Sequence, residues 1–156
     1  MVSPWESFQS SIGTRCMSDR VFIDTNILVY AHDAKEARKQ AISKEILRNL
    51  TYTGAGVVSM QVLQEFYNTV TRKLEFPLPR NEARAIVADL SHFCIKTVPD
   101  DLVTAFQVED QAKISFWDAM IVSAAIKAGA TRILSEDLNA GQVIGGVRIE
   151  NPFAGA

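Results

Sequence analysis

The chain has 156 residues, 47% of them hydrophobic and 22% charged, the make-up of one ordinary soluble domain rather than two. A domain of this size buries roughly 70% of the surface its unfolded chain exposes, so its core needs neither disulfides nor a structural metal. The net charge of −2, from 16 basic and 18 acidic groups, gives no global electrostatic argument for a polyanionic partner and leaves the placement of the acids as the informative quantity.

The first sixteen residues lack the apolar h-region of a secretory signal and are rich in Ser, with Pro4 and Gly13 as single turn-formers. They read as a loose extension, so residues 1–18 are expected to form a flexible tail and 19–156 the domain. Met17 is a candidate natural start. Cys16 and Cys94 make no CxxC or zinc-ligand spacing, which favours a reduced, cytoplasmic protein. No stretch approaches the ~20 apolar residues needed to span a bilayer; the most apolar helix, 119–126, is cut by Lys127 and Gly129.

Five β-rich runs are expected at 21–24, 56–59, 95–98, 132–135 and 147–150. Helical patterns separate them. After the first run, Asp33 is the expected cap of a helix with Ile42, Ile46 and Leu50 on one stripe and Lys35, Arg38, Lys39, Lys44 and Arg48 off it. After the second, Val62, Phe66 and Val70, joined by Leu63, Tyr67 and Leu74, mark a helix that Pro77 and Pro79 end. Asn81 starts another, with Ile86, Val87 and Leu90. Asp100 opens a helix carrying Leu102, Val103 and Phe106, and Ser115 starts the apolar helix that Gly129 terminates. The runs Val21-Phe22-Ile23 and Val57-Val58 are continuous rather than alternating, as expected of strands covered on both faces. The expected fold is α/β, a three-layer α/β/α domain around a central parallel sheet of about five strands.

In such sheets reactive groups gather at the carboxyl ends of the strands. Four acids fall there, each in a different βα unit: Asp24 ends the first strand, Glu65 is in the second turn of the helix after 56–59, Asp118 is in the first turn of the helix that Ser115 starts, and Asp137 follows Ser135. Each has an ordinary explanation. Asp24 and Asp118 suit helix N-termini, Glu65 suits a solvated helix face, Asp137 suits a turn, and Glu136 beside it could exchange roles with it. Taken together, four ionised carboxylates about 6 Å apart would repel by on the order of 3 kcal/mol per pair at an effective dielectric near 20, so such a cluster requires cations or retained protons. Oxygen donors without His or Cys suit Mg2+, with Mn2+ as a substitute, and carboxylate-held Mg2+ serves phosphoryl transfer. Without the four acids the chain carries 16 basic against 14 acidic groups, and Lys35, Arg38, Lys39, Arg72 and Lys73 are candidates for a basic rim holding a polyanion by its phosphates.

The stretches Phe22-Ile23-Asp24-Thr25-Asn26-Ile27-Leu28, Ser59-Met60-Gln61-Val62-Leu63-Gln64-Glu65-Phe66, Phe116-Trp117-Asp118-Ala119 and Leu134-Ser135-Glu136-Asp137-Leu138 resemble, in order and spacing, the PIN-domain ribonucleases, and especially the VapC-like toxins of type II toxin-antitoxin pairs. The resemblance runs from about Val21 to Phe153. It implies that Asp24, Glu65, Asp118 and Asp137 form a catalytic, metal-binding quartet, with Asp137 rather than Glu136 as the fourth acid, and that Thr25, Asn26 and Ser135 support it. It further implies a Mg2+-dependent endoribonuclease, a homodimer, and an antitoxin that inhibits by occupying the acidic pocket, often with an arginine. In the mechanism it suggests, Asp24, Asp118 and Asp137 hold the principal ion while Glu65 orients water or shares a second one. The alternative is a catalytically idle PIN-like module that binds RNA or protein.

Other chemistries find less support. His32 and His92 accompany no GxSxG nucleophile, and Gly54, Gly56, Gly145 and Gly146 build neither GxGxxG nor a Walker loop; Gly145-Gly146 reads as the turn into the last strand. Asp24-Thr25-Asn26 lacks the second Asp expected of a phospho-acceptor motif. For Trp117 a packing role is favoured over stacking on a base. Phe66, Tyr67, Leu74, Phe76 and Leu78 are candidates for an apolar patch near the prolines.

Overall fold

The computed structural model describes residues 19–155. The expected tail at 1–18, with Cys16 and Met17, lies outside them. Among the described residues, five strands form one sheet in the order β2-β1-β3-β5-β4: β1 Arg20–Ile23, β2 Gly56–Val57, β3 Ala130–Leu134, β4 Val143–Ile144 and β5 Val147–Glu150. The helices are α1 Thr25–Tyr30, α2 Ala37–Thr53, α3 Met60–Arg72, α4 Arg80–Leu90, α5 Asp101–Ala112 and α6 Phe116–Lys127, with a 3-10 turn at Ser91–Phe93. β1 pairs in parallel with β2 and β3, and β3 with β5, so their carboxyl ends share one edge. Phe22, Ile133 and Ile149 lie at the centre of a core that the helices close on both faces. The three-layer α/β/α architecture expected from the continuous apolar runs is therefore present. No helix among the described residues is long and apolar enough to cross a membrane.

The chain leaves β1 toward β2 on one side and returns to β3 on the other, which makes the gap between the ends of β1 and β3 the topological switch point of the sheet.

Several elements differ from the sequence reading. The first helix begins at Thr25, immediately after the strand, with Asp24 as its N-cap; Asp33 caps nothing and accepts the N–H of Lys35 in the following turn. The run 95–98 is not a strand. It makes a single parallel bridge, Val58 to Cys94, and then turns away because the Val98 N–H is taken by the Asp101 carboxylate at 2.8 Å, which commits the segment to the start of α5 ahead of Pro99. The fifth strand is β4, antiparallel to β5, a two-residue piece too short for any periodicity to announce. Leu102, Val103 and Phe106 face outward on α5, which buries Ala105 and Val108 instead. In the proline region Phe66 is core and Phe76 exposed, while Tyr67, Leu74 and Leu78 pack against the core.

Gly145 and Gly146 do turn the chain into the last strand. Their φ values of +56° and +81° are those of a two-residue type I′ hairpin loop, open to glycine and strained for other residues. A Cβ at Gly145 would also stand 2.5 Å from Ile126 Cδ1, whereas one at Gly146 would meet nothing within 4 Å. Gly145→Ala should therefore cost about 2 kcal/mol or more and Gly146→Ala about 1 kcal/mol, an ordering that urea denaturation of the two variants would check.

Candidate active site

The peptide N–H of Asp24 donates to Leu134 O, and that of Ser135 to Glu150 O. These two bonds carry the parallel ladder one step beyond β1 and β3 and set Asp24 against Ser135 at the switch point. Asp24 is only 8% exposed, and both its carboxylate oxygens are engaged. Oδ1 accepts the N–H of Thr25 at 2.7 Å, an N-cap bond. Oδ2 accepts the Ser135 hydroxyl at 2.7 Å and, more weakly, Asn26 Nδ2 at 3.4 Å. The Ser135 oxygen accepts in turn the N–H groups of Asp137 and Leu138 at 3.1 and 3.3 Å, so its proton is directed to Asp24.

Asn26 links the first acid to the fourth. Its Nδ2 donates to Asp137 Oδ2 at 3.0 Å, and its Oδ1 accepts the N–H of Glu136 at 3.2 Å. Glu65 joins from α3, where Ser59 caps the helix by accepting the Val62 N–H. Its Oε2 accepts the Thr25 hydroxyl at 3.0 Å, and its Oε1 accepts Gln61 Nε2 at 2.9 Å. The same Gln61 nitrogen donates to the carbonyl of Trp117 at 3.3 Å, which brings the head of α6 beside α3. Asp118 is the third residue of α6, and its N–H donates to the Ser115 hydroxyl at 3.1 Å, the Ser-x-x-acid cap the sequence spells out.

Asp24, Glu65 and Asp137 thus belong to one hydrogen-bonded network through Thr25 and Asn26, and the carbonyl of Trp117, next to Asp118, joins it through Gln61. No hydrogen bond among the described residues joins the Asp118 carboxylate to the other acids, and among those residues no three His, Cys, Asp or Glu side chains close around a single point as an ion would require. Burial pushes the Asp24 carboxyl up to about 6. Hydrogen bonds from Ser135 and Thr25 oppose that rise, and the charges of Asp137 and Glu65 add to it. A buried carboxylate near two others, with no His or Cys among its hydrogen-bond partners, has the donor chemistry that a hard divalent cation fits.

Glu136 is occupied elsewhere. Tyr30 and Lys39 both donate to its carboxylate. Burial works to raise this carboxyl, but those hydrogen bonds and the lysine charge outweigh it and hold it below its usual range. Two of the five basic-rim candidates are therefore committed to partners, Lys39 to Glu136 and Lys35 to Glu75 at 2.6 Å. Sequence reasoning missed Gln61, which bridges α3 and α6, and the Lys39-Tyr30 pair; Gln61 lies four residues before Glu65, a same-face helical spacing that could have flagged it. Trp117, expected to pack, is 64% exposed and touches Phe116 edge-on at a centroid distance of 5.2 Å.

No curated protein matches the sequence significantly. Among solved structures, the chain is similar to a chain of a toxin-antitoxin complex from Klebsiella pneumoniae, at 18% identity and a TM-score of 0.62, over 85% of this chain and 98% of that one. It is also similar to VapC20 of Mycobacterium tuberculosis, described as a toxin that cleaves the sarcin-ricin loop, at 18% identity and a TM-score of 0.56, over 75% and 89% of the two chains. At such identity these likenesses concern the fold. The sequence itself carries the family: the model of the PIN domain matches residues 21–144, from the first core strand to the end of β4, and the chain belongs to the PIN domain family.

Proposed function

We propose that this protein is a metal-dependent endoribonuclease, the toxin of a toxin-antitoxin pair, acting through Asp24, Glu65, Asp118 and Asp137. The observation that carries the reading is the buried Asp24 carboxylate at the switch point, tied through Asn26 to Asp137 and through Thr25 to Glu65. The folds it shares with toxin proteins support the biological setting.

A divalent ion, Mg2+ or Mn2+, would supply charge neutralisation at a phosphodiester and a more acidic water. Asp24 and Asp137 would hold it with Asp118, and Glu65 would orient water or share a second ion. Asn26 Nδ2 donates to both aspartates and ties them together, and the Ser135 hydroxyl holds Asp24 Oδ2 in place. The exposed apolar side chains Leu102, Val103, Phe106 and Trp117 support a protein partner, an antitoxin or a second copy in a homodimer. A second reading, an idle PIN-like module that binds RNA or protein, draws on the acids' not closing around one point; it would bind divalent ions no better than a variant without Asp24.

Folded Asp24 retains its proton up to about pH 6, against 3.8 for its ordinary value. Between those values the folded state binds more protons than the unfolded, so this residue's contribution to stability falls as pH rises, by about 3 kcal/mol for a shift of about 2 units. In chelated buffer Asp24→Asn should gain up to that amount on the parent between about pH 4 and pH 7, less about 1 kcal/mol for a disturbed hydrogen bond, and Mg2+ at neutral pH should raise the melting temperature of the parent alone. Denaturation curves at several pH values, with and without the ion, test this. An RNA-cleavage assay tests the reaction: folded Asp24→Ala should fall to background and Asn26→Ala by about 10–100-fold, and a folded Asp24→Ala as active as the parent would refute the assignment.

A further inference from the structure

Glu136 stands between two residues of the candidate site, but its side chain takes no part in it, being held from the other side. The Tyr30 hydroxyl and Lys39 Nζ both donate to its carboxylate, and Lys39 Nζ also donates to the Tyr30 oxygen at 3.1 Å. The ammonium lies 4.5 Å from the centre of the Tyr30 ring and 5.7 Å from that of Phe153, and the two rings meet edge to face at 5.2 Å. The last residue of α1 and the first turn of α2 thus converge on one carboxylate, with the C-terminal turn packed against both through Phe153. The Lys39 and Glu136 side chains are 28% and 26% exposed, against 72% and 73% for the surface pair Arg48–Glu45. A shielded, multiply hydrogen-bonded pair over an aromatic face holds its geometry in a way that a solvated ion pair does not.

The backbone of the same residue faces the site. The Glu136 N–H occupies Asn26 Oδ1, which leaves Nδ2 to Asp24 and Asp137, and the next two N–H groups close on Ser135 Oγ. Fixing the Glu136 side chain on one side of the turn therefore fixes the peptide that sets Asn26 on the other, and with it the direction of Asp137. Two adjacent acids follow β3: Lys39 binds the first, and Asn26 binds the second.

We propose that Lys39, assisted by Tyr30 and Phe153, is a positioning residue of this site: it withholds Glu136 and pins the turn 135–138 so that Asp137 faces Asn26 and Asp24. The inference rests on the reading of the crevice as the reactive site, and its first test is independent of activity. In the metal-free protein, hydrogen exchange followed by NMR should show the amides of Glu136, Asp137 and Leu138 exchanging at least about tenfold faster in Lys39→Met than in the parent, with those of Val21 and Ile149 unchanged, and Lys39→Arg should restore protection. Phe153→Ala should move the same three amides in the same direction. In the RNA-cleavage assay at saturating Mg2+, Lys39→Met should lower kcat about tenfold with KM for RNA unchanged. Unchanged exchange at the three amides, or faster exchange throughout the chain alike, overturns the proposal. Selective loosening in a protein whose parent cleaves no RNA would remove the nuclease reading and leave the positioning role standing.

Discussion

One carboxylate is placed where the sheet can least solvate it. Asp24 ends a strand whose last three residues are buried on both faces, and the neighbouring strand's extension covers it further. Burying a charge in such a position is unfavourable unless hydrogen bonds, a proton or a cation relieve it. The Thr25 N–H and the Ser135 hydroxyl provide part of that relief, and the remaining tension shows in the raised affinity of Asp24 for a proton. The rest of the site can be read as a response to that residue: α1 starts on it, the turn after β3 folds around Ser135 to reach it, and Asn26 spans from it to the next acid.

Electrostatic tension of this kind has a stability cost that packing elsewhere offsets, and active sites are where it commonly accumulates. In this chain the offset is visible in the sheet centre, where Phe22, Ile133 and Ile149 are enclosed between helix layers. The region that bears the charge and the region that stabilises the fold are adjacent along the same strands, β1 and β3, separated by a single residue at each end.

Much of this was legible before any coordinates. Continuous apolar runs gave the buried strands, Ser115 gave the start of α6, and the rule that strand ends gather reactive groups picked out Asp24 and Asp137 together. What escaped has physical reasons. A helix as short as α1 has less than two turns in which to show a period, and β4 has two residues. The buried face of α5 was not legible because apolar spacing reports that a stripe exists and not which side the neighbours occupy: Ala105 and Val108 are buried, while Leu102 and Phe106 are exposed. Lys39 looked like a phosphate-binding rim residue because its partner is 97 positions away in the chain, a separation no local pattern can register.

The two outer strands of the described sheet, β2 and β4, are each only two residues long, and β4 runs straight into a tight hairpin. Neither margin offers the run of unsatisfied peptide groups on which another polypeptide could zip itself by strand addition. Edges this short favour association through helix faces and side chains over the addition of a strand, which places any recognition code in side chains rather than in the peptide ladder.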